Sequence, residues 1–157
     1  MADYGSTGNV AALVPRYANS SGEFDATTRP ALMQVSTFLT QVCAMLNSVL
    51  AEEGFSIPIT ESTVTPMLDA FVNQEVAEIV EGVNGSGRFG PKIEGQQPGR
   101  FSIINADVRA FIKGNRVGIE RAGADKIDSA EVAEGWFVVN IDRDDSFSQE
   151  ADGSEYT

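Results

Sequence analysis

Between Pro30 and Ala51 the chain runs for 22 residues without one charged side chain. This stretch constrains the fold more than any other. Leu32, Val35, Phe38, Leu39, Val42, Met45, Leu46, Val49 and Leu50 recur at the three-four spacing of a helical stripe, which predicts one long amphipathic helix. Its other face carries Gln34, Ser36, Thr37, Thr40, Gln41, Asn47 and Ser48, all polar and all neutral. A helix face that meets only water usually carries Lys, Glu or Arg. Short neutral polar groups suit contact with another protein surface, where they can be satisfied without burying charge. Gln34, Thr37, Thr40, Gln41 and Asn47 are therefore candidate subunit-contact residues, set against the plainer reading of a core helix with a mild polar face. Recurrent Gln and Asn argue against a membrane span.

Charge narrows the function classes. Eleven Lys and Arg stand against 23 Asp and Glu, a net charge of -12. Nucleic-acid binding needs clustered cations to neutralise phosphate, and an anionic membrane surface needs them too. The chain has no histidine, so the commonest general base and metal ligand is missing. The single Cys43 falls in the apolar part of the long helix and reads as a buried, inert thiol. Residues Met1 to Gly5 lack the basic region and apolar run of a signal peptide, so a cytoplasmic site of synthesis is expected.

The rest reads as a small antiparallel helical bundle of three to four helices. Thr7 or Asn9 is expected to cap a short helix ended by Pro15. Thr28 is expected to cap the long helix with Pro30 in its first turn, and Gly54 to stop it. A second helix is expected from about Ser62 or Pro66 to Val83, with an apolar stripe of Val64, Met67, Leu68, Phe71, Val72, Val76, Ile79, Val80 and Val83, and with Asp69, Asn73, Glu75, Glu78 and Glu81 as a solvated face. Residues 84–100 form a glycine-rich loop holding Arg88, Phe89, Lys92 and Arg100. A loop of that length in a small domain is usually functional or disordered. A third helix is expected from about Ile104 to Lys113, ended by Gly114-Asn115. Beyond Gly123 ten acids face two bases, a charge of -8. The domain division is thus a helical domain, 1–122, and an acidic C-terminal arm, 123–157. In the arm, Gly135 to Ile141 has strand composition, and Trp136, Phe137, Val139 and Ile141 are candidates for contact with a neighbouring chain or with the protein's own helices.

Catalytic and ligand motifs fail on inspection. Gly85 and Gly90 have phosphate-loop separation, but Pro91 stands in the lysine position and lacks the N–H that would hold phosphate. Asp142, Asp144 and Ser146 begin a calcium-loop spacing, but Phe147 replaces the turn glycine and Gly153 the bidentate acid. Glu75, Glu78 and Glu81 read as surface charge, and no Ser, Cys or Lys has an evident base beside it. No enzyme activity, cofactor or metal is expected.

Gly8-Asn9-Val10-Ala11-Ala12-Leu13-Val14-Pro15-Arg16-Tyr17, Thr28-Arg29-Pro30, the long helix, Gly54-Phe55-Ser56-Ile57-Pro58-Ile59, Phe71-Val72-Asn73-Gln74 and Gly87-Arg88-Phe89 occur in that order. Together they resemble the small head–tail connector (adaptor) proteins of tailed bacteriophages over roughly residues 4–120. The resemblance implies a structural virion protein of the neck, assembled in the host cytoplasm. It would form a homo-oligomeric ring, a dodecamer matching the portal. The ring would join portal protein to tail or neck proteins and continue a channel through which DNA passes without specific binding. Arg16, Tyr17, Arg88, Phe89, Lys92 and Arg100 are the candidates for portal or tail docking, an Arg-and-aromatic set of the kind interface hot spots favour. The acidic arm has no counterpart in the family pattern. A small acidic protein-binding module, a chaperone or regulator of a basic partner, is the competing expectation.

Overall fold

A computed structural model describes residues 3–84 and 100–127. Within them the apolar stripes form four helices: α1 (Thr7–Leu13), α2 (Leu32–Glu52), α3 (Thr65–Val83) and α4 (Arg100–Arg121), with a 3-10 turn over Pro15–Tyr17. The architecture is mainly helical. No strand occurs among the described residues, where β pairing is limited to a single bridge between Phe55 and Lys126.

The core is the layer the stripes predict. Val35, Leu39, Val42, Leu46, Val49 and Leu50 of α2 are buried, as are Leu68, Val72, Val76, Ile79 and Val80 of α3. Ile104, Val108, Ile112 and Ile119 of α4 complete it. Full burial of such a side chain is worth about 1.5–3 kcal/mol, so this layer dominates the stability of the body. Phe71 stacks on Phe111 with ring centroids 4.1 Å apart, joining α3 to α4. The α2–α3 pair is antiparallel: Asn84, at the end of α3, donates to the Arg29 carbonyl just before α2 at 3.5 Å. Leu32 and Val83, expected inside, are 41% and 44% exposed. They are the first residue of α2 and the last of α3, at one end of the antiparallel pair.

The helix termini differ from expectation in instructive ways. Ser6, rather than Thr7 or Asn9, caps α1, its Oγ accepting from the Asn9 N–H at 3.1 Å. Thr28 does not cap α2. Its hydroxyl is consumed in the turn before the helix, accepting from the Asp25 N–H at 3.0 Å. The cap residue is Ala31, and the Gln34 side chain accepts from its N–H at 2.9 Å. Pro30 lies ahead of the helix, buried, after a cis peptide bond. Gly54 does stop α2, with φ of +84°, a left-handed conformation open to glycine.

Helix α4 starts at Arg100, four residues before the expected Ile104, and continues through Gly114-Asn115 to Arg121. Neither residue ends it, because the helix beyond them still has a buried side chain to place, Ile119 at 1% exposure. A mid-helix glycine costs about 1 kcal/mol, less than that burial returns. The Asn115 amide also donates back to the Phe111 carbonyl at 2.8 Å. Gly123, φ +93°, makes the stop. From there the chain returns to the end of α2: Ser56 N–H donates to the Asp125 carbonyl at 2.8 Å and Ile127 N–H to that of Gly54 at 2.9 Å. Ion pairs line this end, Arg109–Glu52, Arg116–Glu53 and Lys126–Glu120.

The solvated face expected of α3 is the largest correction. Asn73 and Glu75 are each only 5% exposed. Helix α3 packs against α2, α1 and, through Phe71, α4, and of the expected face Asn73 and Glu75 are covered while Asp69, Glu78 and Glu81 stay partly exposed. Asp69 and Asn73 receive the N-terminal segment instead. Gly5 N–H donates to Asp69 Oδ1 at 2.7 Å and Ser6 N–H to Asn73 Oδ1 at 2.9 Å. Tyr4, 1% exposed, plugs the core next to them. Its hydroxyl accepts from the Ile59 N–H at 2.7 Å, and its carbonyl accepts from the Cys43 thiol at 3.2 Å. Burial pushes both the Tyr4 phenol and the Cys43 thiol above their ordinary pKa values. The buried thiol expected at Cys43 is what the fold contains.

Candidate functional site

The outer face of α2 carries two rows of side chains, Met33–Thr37–Gln41 and Ser36–Thr40–Ala44–Ser48, each row stepping by one helical turn. All seven are exposed. None can ionise, so the neutral face legible in the sequence is a solvent-facing surface of this chain. Met33 is the extreme case at 83% exposure. The two threonines contribute less polarity than their composition implies. Thr37 Oγ1 donates to the Met33 carbonyl at 2.8 Å and Thr40 Oγ1 to the Ser36 carbonyl at 3.0 Å. Their hydroxyl protons are spent within the helix. Leu32, Met33, Ser36, Thr37, Thr40 and Gln41 line a shallow cleft along the first half of α2. A second depression between α2 and α4 follows over Ala44, Met45 and Ser48, with Asn105 and Arg109 on its far side.

Arg109 is the one charged side chain lining these two clefts. Its guanidinium grips Glu52 with two bonds, 2.6 and 3.1 Å, and donates from Nε to Asn105 Oδ1 at 2.8 Å. Those hydrogen bonds hold the Glu52 carboxyl below its usual range and raise the guanidinium.

Of the candidate subunit-contact residues, Thr37, Thr40 and Gln41 stand together on this cleft. Gln34 is exposed but spends its carbonyl on the helix start. Asn47 is turned toward the N-terminal segment, its amide donating to Asp3 Oδ2 at 2.7 Å. Trp136, Phe137, Val139 and Ile141, with the strand expected there, lie outside the described residues. Of the docking candidates, Arg16 and Tyr17 occupy the 3-10 turn. Arg16 bonds Glu81 near the end of α3 at 2.9 Å and lies 4.8 Å from the centre of the Tyr17 ring. Arg88, Phe89 and Lys92, with the glycine-rich stretch 85–99, lie outside the described residues. Arg100 is the first residue of α4 rather than part of that loop.

Sequence reasoning overlooked Met33, which sits in neither the apolar stripe nor the polar set. It also overlooked a second neutral cleft, lined by Asn9, Ala12 and Leu13 of α1 and Ala70, Asn73 and Gln74 of α3. The absence of charge from Tyr4 to Pro15 was the available signal. Among the described residues no group of His, Cys, Asp and Glu is placed to hold a metal ion, and no helix is long and apolar enough to cross a membrane. No protein-family model, curated protein or solved structure matches the chain.

Proposed function

We propose that this protein is a structural component of a tailed-phage neck, a ring-forming connector between portal and tail that continues the DNA channel and has no catalytic role. The observation that carries the reading is the exposed neutral face of α2 on a chain of charge -12. A surface that faces water on an isolated, strongly acidic protein has no need to exclude charge along its whole length. A surface that packs against a like-charged neighbour does. The resemblance of the motif order to head–tail connectors supports this identity for the assembly. The acidic balance suits a channel wall on which DNA slides without sticking. Arg16, Tyr17, Arg88, Phe89, Lys92 and Arg100 are assigned to portal or tail docking under the same reading, and Trp136, Phe137, Val139 and Ile141 to contact between subunits.

Molar mass by size-exclusion chromatography with light scattering, over a range of concentrations and then with purified portal protein, tests the proposal. A closed multimer of fixed size, alone or on the portal, is expected. Thr37→Glu or Thr40→Glu, each adding a charge to the neutral face, should abolish it while thermal unfolding stays unchanged. A chain that remains monomeric with the portal present overturns the reading.

A further inference from the structure

A ring is built from heterologous contacts: one patch on each subunit meets a different patch on the next. The ring reading assigns the α2 face and the arm residues Trp136, Phe137, Val139 and Ile141 to subunit contact, and leaves open which surface the α2 face meets. We propose that the counterpart is the cleft between α1 and α3, so that the first half of α2 on one copy packs into the α1–α3 cleft of the next. This inference rests on the ring-forming reading and adds the surface that α2 meets.

Charge carries the argument. Copies of a chain with charge -12 repel, and like charges brought face to face oppose a contact. Approach is least opposed where both surfaces are neutral. The α2 cleft has no ionisable side chain in its lining, and neither does the cleft of Asn9, Ala12, Leu13, Ala70, Asn73 and Gln74. The two share no residue. Helix α1 itself, Thr7–Leu13, has no charged residue.

Each patch also presents an apolar side chain to solvent. Met33 is 83% exposed at the start of α2, and Leu13 is 54% exposed at the end of α1. Large apolar groups standing out beside neutral polar ones are the composition of an interface centre, and methionine adapts its shape to the pocket it enters. The cleft is also firmly built. Asn73 at its floor is buried and fixed by the Ser6 N–H, so the surface exists before any partner arrives.

The test uses two full-length variants, Thr37→Glu on the α2 face and Leu13→Glu on the α1–α3 cleft, with Ala12→Glu as a second cleft variant. All three sites are exposed, and thermal unfolding checks that each chain folds. Each variant alone should run at the mass of one chain, 16.8 kDa. Thr37→Glu keeps an intact cleft and Leu13→Glu keeps an intact α2 face. An equal mixture should therefore form a dimer of twice that mass and nothing larger. Under the conditions in which the parent chain assembles, alone or with portal protein, the pairing of these surfaces is wrong although the ring stands if both cleft variants assemble like the parent while Thr37→Glu does not, or if the mixture stays monomeric. If the parent chain forms no multimer with or without portal protein, the ring reading falls as well.

Discussion

Replacing Gly5 by alanine isolates the contact on which the N-terminal segment depends. Gly5 has φ of +77°, a region that costs an L-residue about 1–2 kcal/mol. A Cβ there would lie 2.8 Å from Asn73 Oδ1, 3.1 Å from Leu39 Cδ2 and 3.2 Å from Val72 Cγ1. The Asn73 oxygen cannot withdraw freely, because it accepts the Ser6 N–H at 2.9 Å. Leu39 and Val72 are buried core residues. Overpacking of this kind typically costs about 1–3 kcal/mol, and a strained or lost Ser6 bond adds about 1 kcal/mol. The sum is about 3–6 kcal/mol, a large part of the roughly 5–15 kcal/mol stability of a domain. Urea unfolding followed by far-ultraviolet circular dichroism measures it. Gly8→Ala is the control. Gly8 is exposed in α1, and a Cβ added there would meet nothing within 4 Å, so alanine should be neutral or stabilising by up to about 1 kcal/mol. A Gly5→Ala chain that loses less than about 1 kcal/mol would refute the close packing of residues 4–6 between α2 and α3.

Three further outcomes follow from named contacts. Tyr4→Phe removes the acceptor of the buried Ile59 N–H and should cost about 1–3 kcal/mol in the same assay, with no change in helix content. Gly114→Ala should raise stability by about 0.8–1 kcal/mol, since the position is mid-helix and open; a loss would mean that α4 breaks at Gly114. Asp25 is held at a pKa of about 2, below the ordinary 3.8, by hydrogen bonds first from the Asn19 amide and then from the Thr27 hydroxyl and N–H. Its native pKa lies below its unfolded one, so the stabilisation is complete above about pH 4 and is lost as pH falls toward about 2. The urea midpoint of the parent chain should fall more steeply across that window than that of Asp25→Asn, and parallel curves would remove Asp25 as the anchor of the loop before α2.

The helices were legible because their signal is periodic and local. The stripes from Leu32 to Leu50 and from Val64 to Val80 specify two buried faces whatever surrounds them, and the resulting pair needs only a short connection. Gly54 was legible for a similar reason, since a left-handed stop depends on one residue. The caps were less so. Thr28 has the right chemistry for a helix cap, but Asp25 competes for the same hydroxyl, and that competition is settled by how the loop folds. The neutral face of α2 could be read as a pattern, and its exposure could not.

What the chain itself determined is the helical class, the two main stripes, the position of Cys43 inside one of them, and the exclusion of charge from Pro30 to Ala51. These follow from residue type and spacing along a helix. Tertiary structure alone decided that Asn73 and Glu75 are buried, that Tyr4 plugs the core from far away in sequence, and that α4 runs past Gly114 to Arg121. It also decided that Asn9, Ala12 and Leu13 meet Ala70 and Gln74 in a second neutral cleft. The physical reason is common to all of these. Burial depends on how many neighbours a helix acquires, and α3 packs against three, with Asn73 and Glu75 buried although periodicity had assigned them to water.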